Sequence, residues 1–149
     1  MAIKLRNLKP VKIIPVDVSE KTAVGVRLPF NKKRVFTLDY TTKDHAKSKL
    51  INVLITSPGE RLNQPLFGAG LKNRLFEQQT EISKDDLRNY VNPQVERYVP
   101  EIQIKNVLLK DGGLAGHKLF VTVNYSLIYN DEEDSVTLSF TNENFQSNY

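Results

Sequence analysis

The sequence predicts an α+β fold, on three observations. Apolar residues recur at helical spacing through the middle of the chain, between Ala46 and Tyr98. They change to strict alternation in the last third, where Leu119, Val121, Val123, Tyr125, Leu127 and Tyr129 follow one another without a fault. Helical pattern first and strand pattern afterwards keeps the two kinds of element apart, unlike the interleaving of α/β units. The expected architecture is helices packed on a C-terminal antiparallel β-meander, preceded by an N-terminal arm and hairpin.

Residues 1–22 contain Pro10 and Pro15, scattered charges and no sustained period, so an extended N-terminal arm is expected there. Val24, Val26, Leu28 and Phe30 then alternate with Gly25, Arg27 and Pro29, and a second alternation follows at Phe36, Leu38 and Tyr40. The two runs predict a hairpin with Asn31-Lys32-Lys33-Arg34 at its tip. Thr42 is a candidate cap for a helix over 43–55, with Asp44 in the first turn and Ala46, Leu50, Val53 and Leu54 along one face. Pro58 disfavours helical geometry at Ser57 and ends it. A short helix is expected over 71–78, with Leu71 and Leu75 on one face. A third is expected over 84–98, capped by Ser83 with Asp86 three residues on, and striped by Leu87, Val91, Val95 and Tyr98. Pro93 should kink that helix or divide it in two.

Strands are expected over 102–109, 118–129 and 135–141, with a phase slip near Asn106 and Val107 that marks a bulge in the first of them. The expected domain is 23–141, followed by a flexible C-terminal tail over 142–149. The 149 residues suffice for one core, and the absence of Cys excludes disulfides, all-cysteine metal cages and thiol chemistry. The basic start is interrupted by Lys12 and Pro15 before a secretory apolar stretch forms, so no such leader is expected. No apolar run approaches the ~20 residues that span a bilayer, and no membrane partner is expected.

Charge is distributed unevenly. Residues 1–50 hold 12 Lys or Arg against 4 Asp or Glu, residues 51–100 hold 6 against 6, and residues 101–149 hold 3 against 7. A basic beginning and an acidic end suit two different protein neighbours; nucleic acid is the rival explanation for the basic arm, and the acidic end argues against it.

Candidate chemistry is sparse. His45 and His117 lack any zinc-ligand spacing, and Asp131-Glu132-Glu133-Asp134 lacks the glycine and spacing of a calcium loop. Glu60, Glu77 and Glu101 are the carboxylates considered for glycosidase chemistry, and nothing in the sequence brings two of them into one cleft. No catalytic residue, metal or cofactor is expected.

One cluster stands out. Thr56-Ser57-Pro58-Gly59-Glu60-Arg61 is followed by Pro65-Leu66-Phe67-Gly68 and then by Leu75-Phe76-Glu77. On these residues the chain resembles the phage baseplate wedge family called GPW or gene-25-like, which includes the related subunit of type VI secretion baseplates. The resemblance extends from about Val24 to Phe140, with Leu28-Pro29-Phe30 before the first long helix. Family members typically carry Glu-Pro-Arg between the last long helix and the first strand of the sheet. This chain has Tyr98-Val99-Pro100-Glu101 there: Pro100 matches, Val99 replaces the acid and Glu101 replaces the base.

The resemblance implies a non-enzymatic structural component of a contractile phage tail baseplate, located in the virion and assembled in the host cytoplasm. Implied partners are other baseplate wedge proteins and the tail sheath protein, with tail tube or hub proteins as further neighbours. Sheath assembly would start by strand addition to the C-terminal sheet, at 102–109 or 135–141, with Thr137 and Ser139 as edge positions on the latter. Arg61 is expected either to pair with Glu60 or Glu77 and hold its loop, or to touch a partner. The alternative identities are a type VI secretion or other contractile injection baseplate subunit and a lysozyme-like muralytic enzyme.

Overall fold

Alternation in the hairpin region produces β1 (Gly25–Val26) and β2 (Leu38–Asp39), paired antiparallel with Val26 opposite Leu38. The structure, a computed structural model, describes residues 22–30, 36–76, 84–111 and 118–141. After the hairpin come α1 (Thr42–Ile55), α2 (Leu71–Phe76) and α3 (Lys84–Tyr98), then β3 (Ile102–Asp111), β4 (Lys118–Leu127) and β5 (Glu133–Thr141). The last three strands form an antiparallel sheet in the order β3-β4-β5, which makes the faultlessly alternating β4 the central strand. The fold is α+β, as expected. The arm, the hairpin tip, residues 77–78 of the second expected helix, the Ser83 cap and the tail lie outside the described residues.

Three details differ from expectation. The cap of α1 is Thr41, whose hydroxyl accepts from the Asp44 N–H at 3.1 Å, and Thr42 is already helical. Two adjacent threonines offer the same chemistry, and the one with extended backbone takes the role. Pro93 does not divide α3, which runs from Lys84 to Tyr98. Pro93 and Asn89 are both exposed residues, on the side of α3 away from its buried stripe of Leu87, Val91 and Val95. The turn between β4 and β5 also falls two residues earlier than expected, at 128–132 instead of 130–134. Leu127 N–H bonds the Glu132 carbonyl, so β4 ends at Leu127 and β5 begins at Glu133.

The bulge falls between Ile104 and Asn106, with Lys105 as the extra residue. Without it the two-residue period would turn Val107 outward; with it Ile102, Ile104 and Val107 all face the core. They meet Leu87, Val91 and Val95 of α3, Leu50 and Leu54 of α1, and Leu71 and Leu75 of α2. Val121, Val123, Tyr125 and Leu127 of β4 and Val136, Leu138 and Phe140 of β5 complete the core.

The hairpin is fixed to α1 by a polar network. Asp39 is fully buried and accepts from Arg27 Nε at 2.9 Å and from the Ser48 hydroxyl at 2.7 Å, while Ser48 Oγ accepts the Leu28 N–H at 3.1 Å. The apolar side of the hairpin faces outward instead. Val26, Phe36, Leu38 and Tyr40 are exposed, and Phe36 packs edge-on against Phe30 with centroids 5.7 Å apart.

Candidate functional site

Residues 56–70 form a loop that leaves α1 and returns to enter α2, held by backbone bonds. Gly59 N–H bonds the Pro65 carbonyl at 2.8 Å and Glu60 N–H the Ser57 carbonyl at 3.1 Å. The return is bonded to the end of α1: Ala69 N–H reaches the Val53 carbonyl and Gly70 N–H the Thr56 carbonyl, each at 2.8 Å. Gly68 has φ +101, and a Cβ there would lie 2.2 Å from the Thr56 carbonyl oxygen. Only glycine lets the strand of loop pass this close.

Arg61 does not pair with Glu60. Its guanidinium sits over the Phe67 ring, 3.6 Å from the centroid, and Phe67 in turn packs on Tyr98 with centroids 4.8 Å apart. Arg97 approaches the Tyr98 ring at 5.4 Å. The two stretches that carry the family resemblance, far apart in sequence, therefore meet through Phe67 and Tyr98. Gly59, Glu60 and Pro65 lie on the exposed outer side of the loop. Leu62, 97% exposed, and Leu66, 63% exposed, project beside them. Leu75 is core, Phe76 ends α2, and Glu77 lies outside the described residues.

At the altered motif, Val99 is fully buried among core residues and so offers a partner nothing. Pro100 is exposed. Glu101 accepts from Lys49 Nζ of α1 at 2.8 Å, so its charge serves an internal tie. Two further lysines of α1 bond the turn after β4 and the start of β5: Lys43 pairs with Glu132, and Lys47 with Asp134 at 3.2 Å. Burial pushes the Asp134 carboxyl upward, but bonds from Ser135 N–H and Lys47 outweigh it and hold the group below the usual carboxylate range. Asp134 also accepts from the Tyr125 hydroxyl at 3.1 Å, and burial, then the Asp134 charge, raises the Tyr125 pKa. The acidic run is thus a clamp between helix and sheet. Lysines at positions 43 and 47 share one helix face, which is the signal that could have paired them with it.

Glu60 and Glu101 stand in different settings, one on an exposed loop and the other bonded to a lysine. Among the described residues no group of His, Asp and Glu converges as a metal site, and no helix is long and apolar enough to cross a membrane. At the sheet edges, Thr137 is exposed, with its hydroxyl 3.0 Å from that of Thr122, whereas Ser139 is buried.

The family model described as baseplate wedge protein gp25 matches residues 41–132. The curated baseplate wedge protein gp25 of Enterobacteria phage T4 is 26% identical over 102 residues, which is 66% of this chain and 74% of that protein. A crystal structure described as a putative tail lysozyme from Geobacter sulfurreducens superposes with a TM-score of 0.58 at 20% identity, covering 68% of this chain and 91% of that one. At that identity it shows the fold alone. A chain of the anti-feeding prophage baseplate covers 76% of this chain at 16% identity, with a TM-score of 0.43. The model match spans the capped helix, the glycine-bearing loop, the Phe67–Tyr98 meeting point and the sheet as far as the turn after β4, and the chain belongs to the baseplate wedge protein gp25 family.

Proposed function

We propose that this chain is a non-enzymatic structural subunit of a contractile-tail baseplate wedge, which docks on neighbouring wedge subunits and starts sheath assembly by accepting a β-strand. The observation that carries this reading is the open three-stranded sheet, whose outer strands β3 and β5 each have one paired side among the described residues. An unpaired edge presents N–H and C=O groups that an extended segment completes. The loop tip at Leu62, Pro65 and Leu66 supplies exposed apolar surface for docking on wedge subunits. The rigid loop beneath it, bonded to α1, lets that surface be presented without ordering costs on binding.

Baseplates assembled with and without this chain test the reading when the sheath protein of the same contractile system is added. Sheath rings are expected only on complete baseplates, and equal polymerisation on both would reject templating. A Leu62→Asp, Leu66→Asp chain is expected to fold and to stay out of wedges. Purified chain is expected to leave peptidoglycan intact; clearing that is lost on Glu→Gln substitution at one position would establish an enzyme instead.

A further inference from the structure

The hairpin of β1 and β2 is seated on α1 by polar contacts, with almost no share in the core. No side chain of either strand joins the buried apolar cluster, and of the described residues up to Tyr40 only Leu28 packs against its edge. What holds the hairpin is buried Asp39, bonded by Arg27 and Ser48, together with the Leu28 N–H bond to Ser48 Oγ and a pair between Arg27 and Asp44 at 3.0 Å. An element with few buried apolar contacts opens more readily than the core beside it.

Beneath β1 lies His45. A Cβ on Gly25 would fall 2.2 Å from His45 Nδ1 and 2.4 Å from its Cε1, so the glycine backbone rests directly on that edge of the imidazole ring. Nδ1 is buried there and has no hydrogen-bond partner among the described residues. The acids around the ring are already engaged: Asp39 of β2 by Arg27 and Ser48, Asp44 of α1 by Arg27, and Glu101, just ahead of β3, by Lys49. Lys49, one turn along α1, adds a like charge. Burial and then Lys49 lower the pKa of His45, against the opposing charges of Asp39 and Glu101.

We propose that His45 is a proton-sensitive seat for the hairpin: protonation of its imidazole releases β1 and β2 from α1 while the helices and the three-stranded sheet stay folded. An imidazolium holds a charged N–H against the Gly25 backbone, where no acceptor is free, and moving the hairpin away lets water solvate it. The bonds lost are those to α1, Leu28 N–H to Ser48 Oγ among them. Release takes up one proton, so its equilibrium constant rises, by up to about tenfold per pH unit, as pH falls from 6.5 towards the lowered value. The hairpin carries the outward apolar side chains of Val26, Phe36, Leu38 and Tyr40, so acid changes where this surface is presented.

Amide exchange of the full chain, followed residue by residue and corrected for the intrinsic pH dependence of exchange, tests the seat. Leu28 N–H, whose acceptor belongs to α1, reports the hairpin, and Val99 N–H, bonded to the Val95 carbonyl at 2.7 Å, reports the core. Leu28 N–H is expected to be about tenfold or more less protected than Val99 N–H. Its protection is expected to fall roughly threefold further from pH 6.5 to about 5.5. Equal protection of the two amides would mean that hairpin and core open together, and would overturn separate release. His45→Gln has no such proton to take up and is expected to abolish the pH step at Leu28; a step that persists would overturn the role of His45. Gly25→Ala drives the hairpin off the ring at any pH, and is expected to raise Leu28 exchange about tenfold at neutral pH. An unchanged rate in that variant would overturn the contact between Gly25 and His45 as the seat.

Discussion

The guanidinium carbon of Arg61 lies 3.6 Å from the centroid of the Phe67 ring. This contact makes a residue that looks from sequence like half of an ion pair into the lid of an aromatic stack. Removing the side chain by Arg61→Ala should cost about 1 kcal/mol, the value of a partly exposed cation–π contact. Phe67→Ala should cost about 3 kcal/mol, because the ring is buried and supports Tyr98 as well. Urea unfolding of the two variants checks the ratio, and Arg61→Lys is expected to recover only part of the loss, since an ammonium lacks the planar face.

Two glycines of the same loop should respond differently to alanine. Gly59 has φ +93 with nothing within 4 Å of an added Cβ, so Gly59→Ala meets only backbone strain, about 1 kcal/mol. Gly68 combines positive φ with a 2.2 Å approach to the Thr56 carbonyl oxygen, and Gly68→Ala should cost about 3 kcal/mol or more. Equal thermal midpoints for the two variants would contradict this account of the loop.

The Arg27 and Asp39 pair is unequal in exposure, 45% against 0% by side chain, and that inequality sets the outcome of breaking it. Arg27→Ala leaves a carboxylate buried with the Ser48 hydroxyl as its donor, and should cost about 3 kcal/mol. Asp39→Asn keeps an acceptor for Ser48 and leaves a cation that water can reach, at about 1 kcal/mol. Chemical denaturation should therefore find the exposed partner's removal the more damaging.

His45 predicts a pH dependence. Burial, then the charge of Lys49, lowers its pKa from the ordinary 6.5, with Asp39 and Glu101 opposing. The unfolded chain then binds more protons than the folded one between the lowered value and 6.5, so stability falls as pH drops through that window. His45→Gln should flatten this slope. The carboxyl of Asp134, held low in the folded chain, contributes in a separate, more acidic window: its stabilisation is present above the ordinary carboxylate range and is lost as pH falls through the lowered value.

Much of the fold is legible in the sequence, because long periods report it directly. The central strand and the stripe of α3 follow from where Val, Leu and Ile recur, and so does a bulge, expected near Asn106 and Val107 and found at Lys105. The hairpin is legible as a hairpin but not as to which side is buried. Its alternation shows Phe36, Leu38 and Tyr40 on one side, yet the buried side is that of Asp39, because a hydrogen-bonded ion network takes the place next to α1. Periodicity reports a two-sided element and cannot say which side a charge network will claim. The candidate site is legible as a motif for the same reason that its geometry is not. Gly59 and Gly68 announce turns, whereas the Phe67–Tyr98 contact joins residues that no local spacing relates.

The altered motif offers the last prediction. Glu-Pro-Arg can be restored by Val99→Glu and Glu101→Arg, and each change meets a different environment. Val99 is fully buried in the core, so a carboxylate there without a partner should cost roughly 3–5 kcal/mol. Glu101 is 22% exposed by side chain and bonded to Lys49, so Glu101→Arg should cost about 1 kcal/mol, from the lost pair and the new like charge. The two sites are separated only by Pro100, close enough for the introduced groups to couple. A double-mutant cycle by urea unfolding measures that coupling. Losses that add are expected, since the core position is enclosed and the position of Glu101 points to Lys49. A double variant that regains the stability lost by Val99→Glu would instead mean that the introduced guanidinium reaches the acid, and that the motif is self-contained within one chain.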